Sequence, residues 1–422
     1  MLLSASAANC GPFLHEAAVA LFDKPASSLY LAEPEDVRPG EVICGPSGSG
    51  KTAFLKGIRL ARDLFLGRTV LGRHSPHLAF ALAGAKQSRA PTAFGFLFLE
   101  AGRVWRYRFA VAEGRIAEER LEEVLRGGAS LLLDRRGAEI DLEGELLSYD
   151  AAAQTAAMLQ ESRLFLPAFI ERQGSALDGI RRTFEDMTFP GLDGSGSDGF
   201  LMAPGEAEKL LPALAALFQS RGLTALATVP IDFGPLPAHL DRPLCEALEE
   251  WPGSTAVVED GLGGRALATY DDDARSLKAL QIVAVYEGSS RPVRIPLSLE
   301  GAGLRRLLDL LPALRSLSDP DRPATVFIDD ALEGLEPKLA AAIYQARAET
   351  LPEEGAGRMI LAVREAGALR GAAGFSALRA SRELESGSAV FAPWDWRVAS
   401  DADEEKEAAA AASALPLLAD LF

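Results

Sequence analysis

Eight consecutive residues, Gly45-Pro46-Ser47-Gly48-Ser49-Gly50-Lys51-Thr52, constrain this chain more than any other segment. They fit the spacing G-x-x-x-x-G-K-[ST]. The glycines let the backbone turn tightly, so that successive N–H groups can point at phosphate oxygens. The apolar run Glu41-Val42-Ile43-Cys44 leads in, and Phe54, Leu55, Ile58, Leu60 and Leu64 follow at near-helical spacing. A strand before and a helix after is the context a phosphate loop needs, because the helix offers its positive N-terminus to the same anion. Lys51 is placed to reach the β- and γ-phosphates, and the Thr52 hydroxyl to ligate magnesium. The bland alternative is a glycine-rich turn without a ligand. The expectation is a bound nucleoside triphosphate with Mg2+.

Such a loop needs a second carboxylate site for the metal. Thr325-Val326-Phe327-Ile328-Asp329-Asp330 reads as a buried strand that ends in two carboxylates. Asp329 is expected to hold the metal through water, and Asp330 to sit where a general base belongs. Taken alone, the segment could be a strand that ends in a polar turn. About 280 residues separate Thr52 from this strand, far more than nucleoside kinases or small GTPases place there.

Elsewhere, Phe94, Phe96 and Phe98 alternate, then Trp105, Tyr107 and Phe109, with Glu100-Ala101-Gly102-Arg103 as a hairpin link. Leu29-Tyr30-Leu31 is a further apolar run in a region of short strands and turns. Ile116–Leu125 reads as a charged helix or a strand-to-helix junction, and Ser130–Leu133 as a strand. Residues 150–250 are helical in composition, broken by the glycine- and serine-rich run 191–199, a flexible loop. Strands are expected at Ala256–Glu259, Ala266–Tyr270, Leu280–Tyr286 and Met359–Val363, and helices at Leu304–Leu314 and from Lys338 to Glu349. Alternation of this kind points to an α/β fold.

With 43 basic and 60 acidic side chains among 422 residues, the formal charge is −17. That argues against a protein that coats nucleic acid, although a local basic groove stays open. Cys10, Cys44 and Cys245 lie far apart and read as buried thiols of a reducing cytosol. His74 and His77 read as surface residues rather than metal ligands. No apolar run of about 20 residues suggests a membrane span, and the start has no secretory pattern. A cytoplasmic chain is expected.

The order of these motifs resembles the ABC-type ATPase heads of the SMC, RecF and OLD kind, most closely the compact bacterial AAA-group ATP-binding proteins of phage-defence systems. Ala8-Asn9-Cys10-Gly11-Pro12-Phe13 is similar to the family's first strand motif. Trp105–Phe109 and Glu118–Leu121 are similar to its aromatic hairpin and Glu-rich segment, and Glu300–Leu308 to its signature. Leu335-Glu336-Pro337 is similar to its D-loop. The resemblance implies ATP held between copies of the chain, with Gly303 of one copy reaching the nucleotide of another. It therefore implies a homodimer or higher homo-oligomer and a separate effector protein. It departs from the family at three places: Gly301 stands at the signature serine, Asp330 at the catalytic glutamate, and Arg364 at the switch histidine.

The architecture expected is a P-loop ABC-like head with a mainly helical insertion. Residues 1–150 would form its N-terminal part and 151–255 the insertion. Residues 256–398 would form its C-terminal part and 399–422 an acidic, alanine-rich tail. The activity implied is slow ATP hydrolysis that controls a partner. A non-hydrolysing ATP-gated scaffold and a RecF-like DNA-repair ATPase are the alternatives.

Overall fold

The computed structural model describes residues 1–22, 26–71, 79–80, 90–173, 177–192, 223–231, 255–259, 265–271, 276–319, 321–335, 340, 342–344, 357–365, 369, 374–384 and 386–394. The chain divides into two compact units. The first comprises Met1–Asp193 and Ala313–Phe422, the second Gly194–Pro312.

Two sheets make the first unit. One is antiparallel, with seven strands: β1 (Leu2–Ala8), β2 (Ala17–Ala20), β4 (Thr92–Glu100), β5 (Arg103–Ala112), β6 (Arg115–Leu125), β7 (Gly128–Arg136) and β8 (Glu139–Leu142), in the order β2-β1-β4-β5-β6-β7-β8. The aromatic alternation of β4 and β5 places Phe94, Phe96, Phe98, Trp105, Tyr107 and Phe109 in the core. Their two-residue link has positive φ at Ala101 and Gly102, the geometry that matches the twist of a hairpin.

The other sheet has β3 (Gly40–Cys44), β9 (Met187–Thr188), β15 (Thr325–Ile328), β16 (Arg358–Val363), β17 (Ser376–Arg382) and β18 (Ala389–Pro393), in the order β18-β17-β3-β16-β15-β9. All its pairings are parallel except β17 with β18. Every residue of β3, β15 and β16 is buried. That burial explains why these strands read as unbroken apolar runs rather than alternating ones.

Helix α1 (Lys51–Phe65) joins residues of both sheets in one hydrophobic cluster through Phe54, Leu55, Ile58, Ala61 and Phe65. Its Phe65 stacks on Phe184 at 4.0 Å between ring centres. Phe184 belongs to α4 (Asp178–Glu185), which follows α2 (Asp150–Met158) and α3 (Phe165–Gln173). One buried carboxylate also ties the sheets together. Glu41 of β3 accepts hydrogen bonds from the Ala20 N–H of β2 (2.8 Å) and the Ser376 hydroxyl of β17 (3.2 Å). Burial pushes its pKa up to about 7.

Several elements differ from expectation. Ile116–Leu125 is neither a helix nor a junction but strand β6, paired with β5 and β7 along its length. Its inward row is Ile116, Glu119, Leu121 and Val124, so a carboxylate occupies a core position. Glu119 accepts from the Tyr107 hydroxyl (2.8 Å) and from the N–H groups of Phe165 (2.6 Å) and Leu166 (2.9 Å) at the start of α3. The Arg135 guanidinium lies beside it. The run Leu29-Tyr30-Leu31 ends a 3-10 helix, Ala26–Leu31.

The region expected to be a helical insertion divides differently. Helices α2 to α4 belong to the first unit, and Leu223–Ile231 is strand β10 rather than helix. The described part of the second unit is an antiparallel sheet of β10, β11 (Thr255–Glu259), β12 (Arg265–Asp271) and β13 (Ser276–Tyr286), in the order β10-β13-β12-β11. Strand β14 (Val293–Pro296) adds to β13. Helix α5 (Ala302–Ser316) begins in that unit and contains Pro312. Residues 193–199 of the glycine-rich run, Glu336 and Pro337, His74, His77, Cys245 and the tail lie outside the described residues. So does most of the helix expected from Lys338, of which Ala340 and residues 342–344 are helical.

Candidate functional site

Strand β3 delivers the chain into the loop Gly45–Thr52, and α1 leaves from its last two residues. Glycine is required at two of its positions for different reasons. A side chain on Gly45 would sit 2.3 Å from the Ala380 carbonyl oxygen of β17. Gly50 has φ +104, a conformation that side chains disfavour, and a Cβ there would also meet Ala389 at 2.8 Å.

Lys51 is buried, with its ammonium turned back onto the loop. It donates to the carbonyl oxygens of Gly45 and Pro46 (2.9 Å) and to the Ser49 hydroxyl (3.3 Å). Burial lowers its pKa, and the nearby carboxylate of Asp330, the Cys44 thiol and the Asp329 carboxylate oppose that shift.

The two halves of the expected metal site meet. The Thr52 hydroxyl donates to Asp329 Oδ1 at 3.1 Å. Asp329 follows the last residue of β15. Burial raises its pKa, the Thr52 hydrogen bond lowers it, and the Asp330 charge raises it again. A hydroxyl and a carboxylate are hard oxygen donors, the chemistry that magnesium selects, and one or two protein oxygens suffice when phosphates and water supply the rest. The residues present therefore fit Mg2+.

Asp330 takes φ +44, a left-handed conformation that Asp tolerates better than most residues. Its Oδ1 is 3.7 Å from Arg364 Nε, and Arg364 also lies 4.0 Å from Glu333. A cavity of about 340 Å³ is lined by Ser47, Lys51, Thr52, Asp330 and Arg364 among others. Of the residues expected at the site, the structure thus gathers the phosphate loop, Asp329, Asp330 and Arg364. Gly303 is the second residue of α5, in the other unit.

The cavity also contains residues that the sequence did not mark as site residues: Pro12, Ala53 and Arg382 line it. Pro12 belongs to the Ala8–Phe13 segment, so the sequence at least pointed there. Arg382 ends β17 and carries no motif; its proximity comes only from the pairing of β17 with β3. The cysteines among the described residues, Cys10 and Cys44, are buried, as expected. Among the described residues no helix is long and apolar enough to cross a membrane.

Residues 42–173 match the family described as AAA domain, putative AbiEii toxin, Type IV TA system. No curated protein matches the chain. Among solved structures it is similar to an SMC head domain from Thermotoga maritima, with 14% identity over 93% of this chain and 99% of that one, at a TM-score of 0.41. It is also similar to an SmcHead bound to the C-winged helix domain of ScpA, with 13% identity over 94% of this chain and 98% of that one, at a TM-score of 0.41. The matched residues 42–173 contain the phosphate loop Gly45–Thr52 and α1, and β3, which leads into that loop, is flanked by the parallel strands β16 and β17.

Proposed function

We propose that this chain binds ATP with Mg2+, hydrolyses it slowly, and uses the bound nucleotide to assemble copies of itself and control a separate effector protein. The observation that carries the reading is the 3.1 Å contact between Thr52 and Asp329, which brings the phosphate loop and the carboxylate strand together at one point. When bound, magnesium neutralises phosphate charge there. The chain's own part is to cradle the phosphates with loop N–H groups, set Lys51 against them, and present Asp330 toward attacking water.

Slow turnover is supported by two features. Aspartate is one methylene shorter than the glutamate that this position resembles, and Asp330 already faces the guanidinium of Arg364. A general base must lie within hydrogen-bond reach of the water it activates, and small misplacements cost rate. The same pair favours, as a second reading, an ATP-gated scaffold in which hydrolysis is incidental. The words "putative AbiEii toxin, Type IV TA system" in the matched family's description support a defence system as the setting.

The test is calorimetric titration with a non-hydrolysable ATP analogue and magnesium. Wild type should bind and Lys51→Ala should lose measurable affinity. Equal affinity in the two would remove the nucleotide-site reading.

A further inference from the structure

One cation of the phosphate cavity has no role in the motifs. Strand β17 runs parallel to β3 with Arg379 opposite Cys44, so the residues after Arg379 continue alongside the phosphate loop. Arg382 is the last of them. Its Nε donates to the carbonyl oxygen of Gly48 at 2.9 Å, and its NH1 to that of Gly387 at 2.7 Å. The second bond closes the β17–β18 hairpin, in which Arg382 stands opposite Ala389. The Ala389 N–H in turn donates to Pro12 at 2.7 Å. The hairpin thus grips the loop at Gly48 and the neighbouring Pro12 segment, and Arg382 lines the cavity they enclose.

A guanidinium has five N–H donors in a rigid fork. The two backbone carbonyls use part of that fork and neutralise none of its charge. Among the described residues no carboxylate lies within ion-pair distance of Arg382, although the chain as a whole carries a formal charge of −17. The contrast with Arg364 is direct, because Arg364 faces both Asp330 and Glu333. A cation fixed by carbonyls at the phosphate loop, with no carboxylate among the described residues paired to it, is arranged for an anion.

We propose that Arg382 is a nucleotide-contacting residue, which holds Gly48 of the phosphate loop with one edge and presents the rest of its guanidinium to the polyphosphate chain. The inference rests on the nucleotide-site reading above and deepens it. Arg382 supplies, from within the same chain, charge that Lys51 alone does not provide.

Two substitutions separate a charge contact from a purely structural grip on Gly48. Arg382→Gln can keep one hydrogen bond to the Gly48 carbonyl and loses the charge. Arg382→Lys keeps the charge and loses the fork. Affinities for magnesium-ATP and for inorganic tripolyphosphate are measured by calorimetry at two salt concentrations, with Lys51→Ala as the control and thermal melting as the check on folding. Arg382→Gln should bind both ligands about ten- to hundredfold more weakly, with a shallower salt dependence, the loss expected for a charge-assisted bond. Arg382→Lys should recover most of that affinity. Wild-type affinity in Arg382→Gln, or a loss in Arg382→Lys as large as in Arg382→Gln, would overturn the proposal. If Lys51→Ala also binds as wild type does, the nucleotide-site reading fails as well; if only the arginine variants behave normally, the failure is confined to Arg382.

Discussion

The Arg364 guanidinium lies 3.7 Å from the Asp330 carboxylate, at the ends of two neighbouring parallel strands. Each residue stands just past its strand, Asp330 after β15 and Arg364 after β16. The pair sits on the same cavity as Lys51 and Thr52.

The first prediction concerns Asp330. Lengthening its side chain should bring the carboxylate closer to the attacking water. Single-turnover hydrolysis should therefore be faster in Asp330→Glu, by about tenfold or more, and lost in Asp330→Ala. An alanine variant that keeps pace with wild type would show that another group is the base.

The second concerns Arg364. Its side chain is 60% exposed, and ion pairs of that kind contribute about 0–1 kcal/mol to stability. Its release from Asp330 to a terminal phosphate is therefore cheap. Arg364→Ala should leave the melting temperature within a degree or two, and should reduce the preference for ATP over ADP by about tenfold. Parallel titrations with the two nucleotides check this. An unchanged ratio would place Arg364 outside the γ-phosphate's reach.

Assembly gives the third. Gly303 is proposed to meet a neighbouring copy's nucleotide, and a ligand bound across an interface stabilises that interface. Light scattering should show a larger mass with magnesium-ATP than without it. Gly303→Arg should return the mass to its nucleotide-free value. An ATP-induced assembly that survives this substitution would rule out the arrangement.

The fourth is a pH dependence. Burial raises Glu41 from 4.5 to about 7, so the folded protein holds this proton more tightly than the unfolded chain does. Its contribution is fully present below pH 4.5 and is lost as pH rises through about 7. Arg38 opposes the shift, and the Ala20 and Ser376 hydrogen bonds do so more strongly. Glu41→Gln can accept from the Ala20 N–H with its one oxygen and donate its amide N–H to the Ser376 hydroxyl oxygen, and it does not titrate. Its stability relative to wild type should rise by on the order of 2 kcal/mol between about pH 5 and pH 8. Denaturant melts at several pH values measure it, and a flat difference would mean that Glu41 stays charged.

The sequence revealed the elements whose identity is local. Thr325–Ile328 was legible residue by residue because a strand buried on both faces needs only apolar side chains. The loop Gly45–Thr52 was legible because its turn demands glycine at fixed places. Strand β6 was not, because Glu118, Glu119, Glu122 and Glu123 favour helix and the buried Glu119 breaks the apolar alternation. Only its partners Tyr107, Arg135 and the start of α3 make that position tenable. Strand β9 is two residues long, too short to leave a pattern. Arg382 was invisible because it meets Gly48 across 334 residues of sequence.

That last separation bears on how the protein is made. The strand that carries the phosphate loop lies between β16 and β17, so both of its neighbours emerge from the ribosome long after it does. Until then its buried residues have no sheet to join, and both its edges are open to wrong pairing. The cavity at the phosphate loop is thus a late product of synthesis. A fragment limited to residues 42–173 would hold the recognisable loop but lack β16 and β17, and it should aggregate rather than bind.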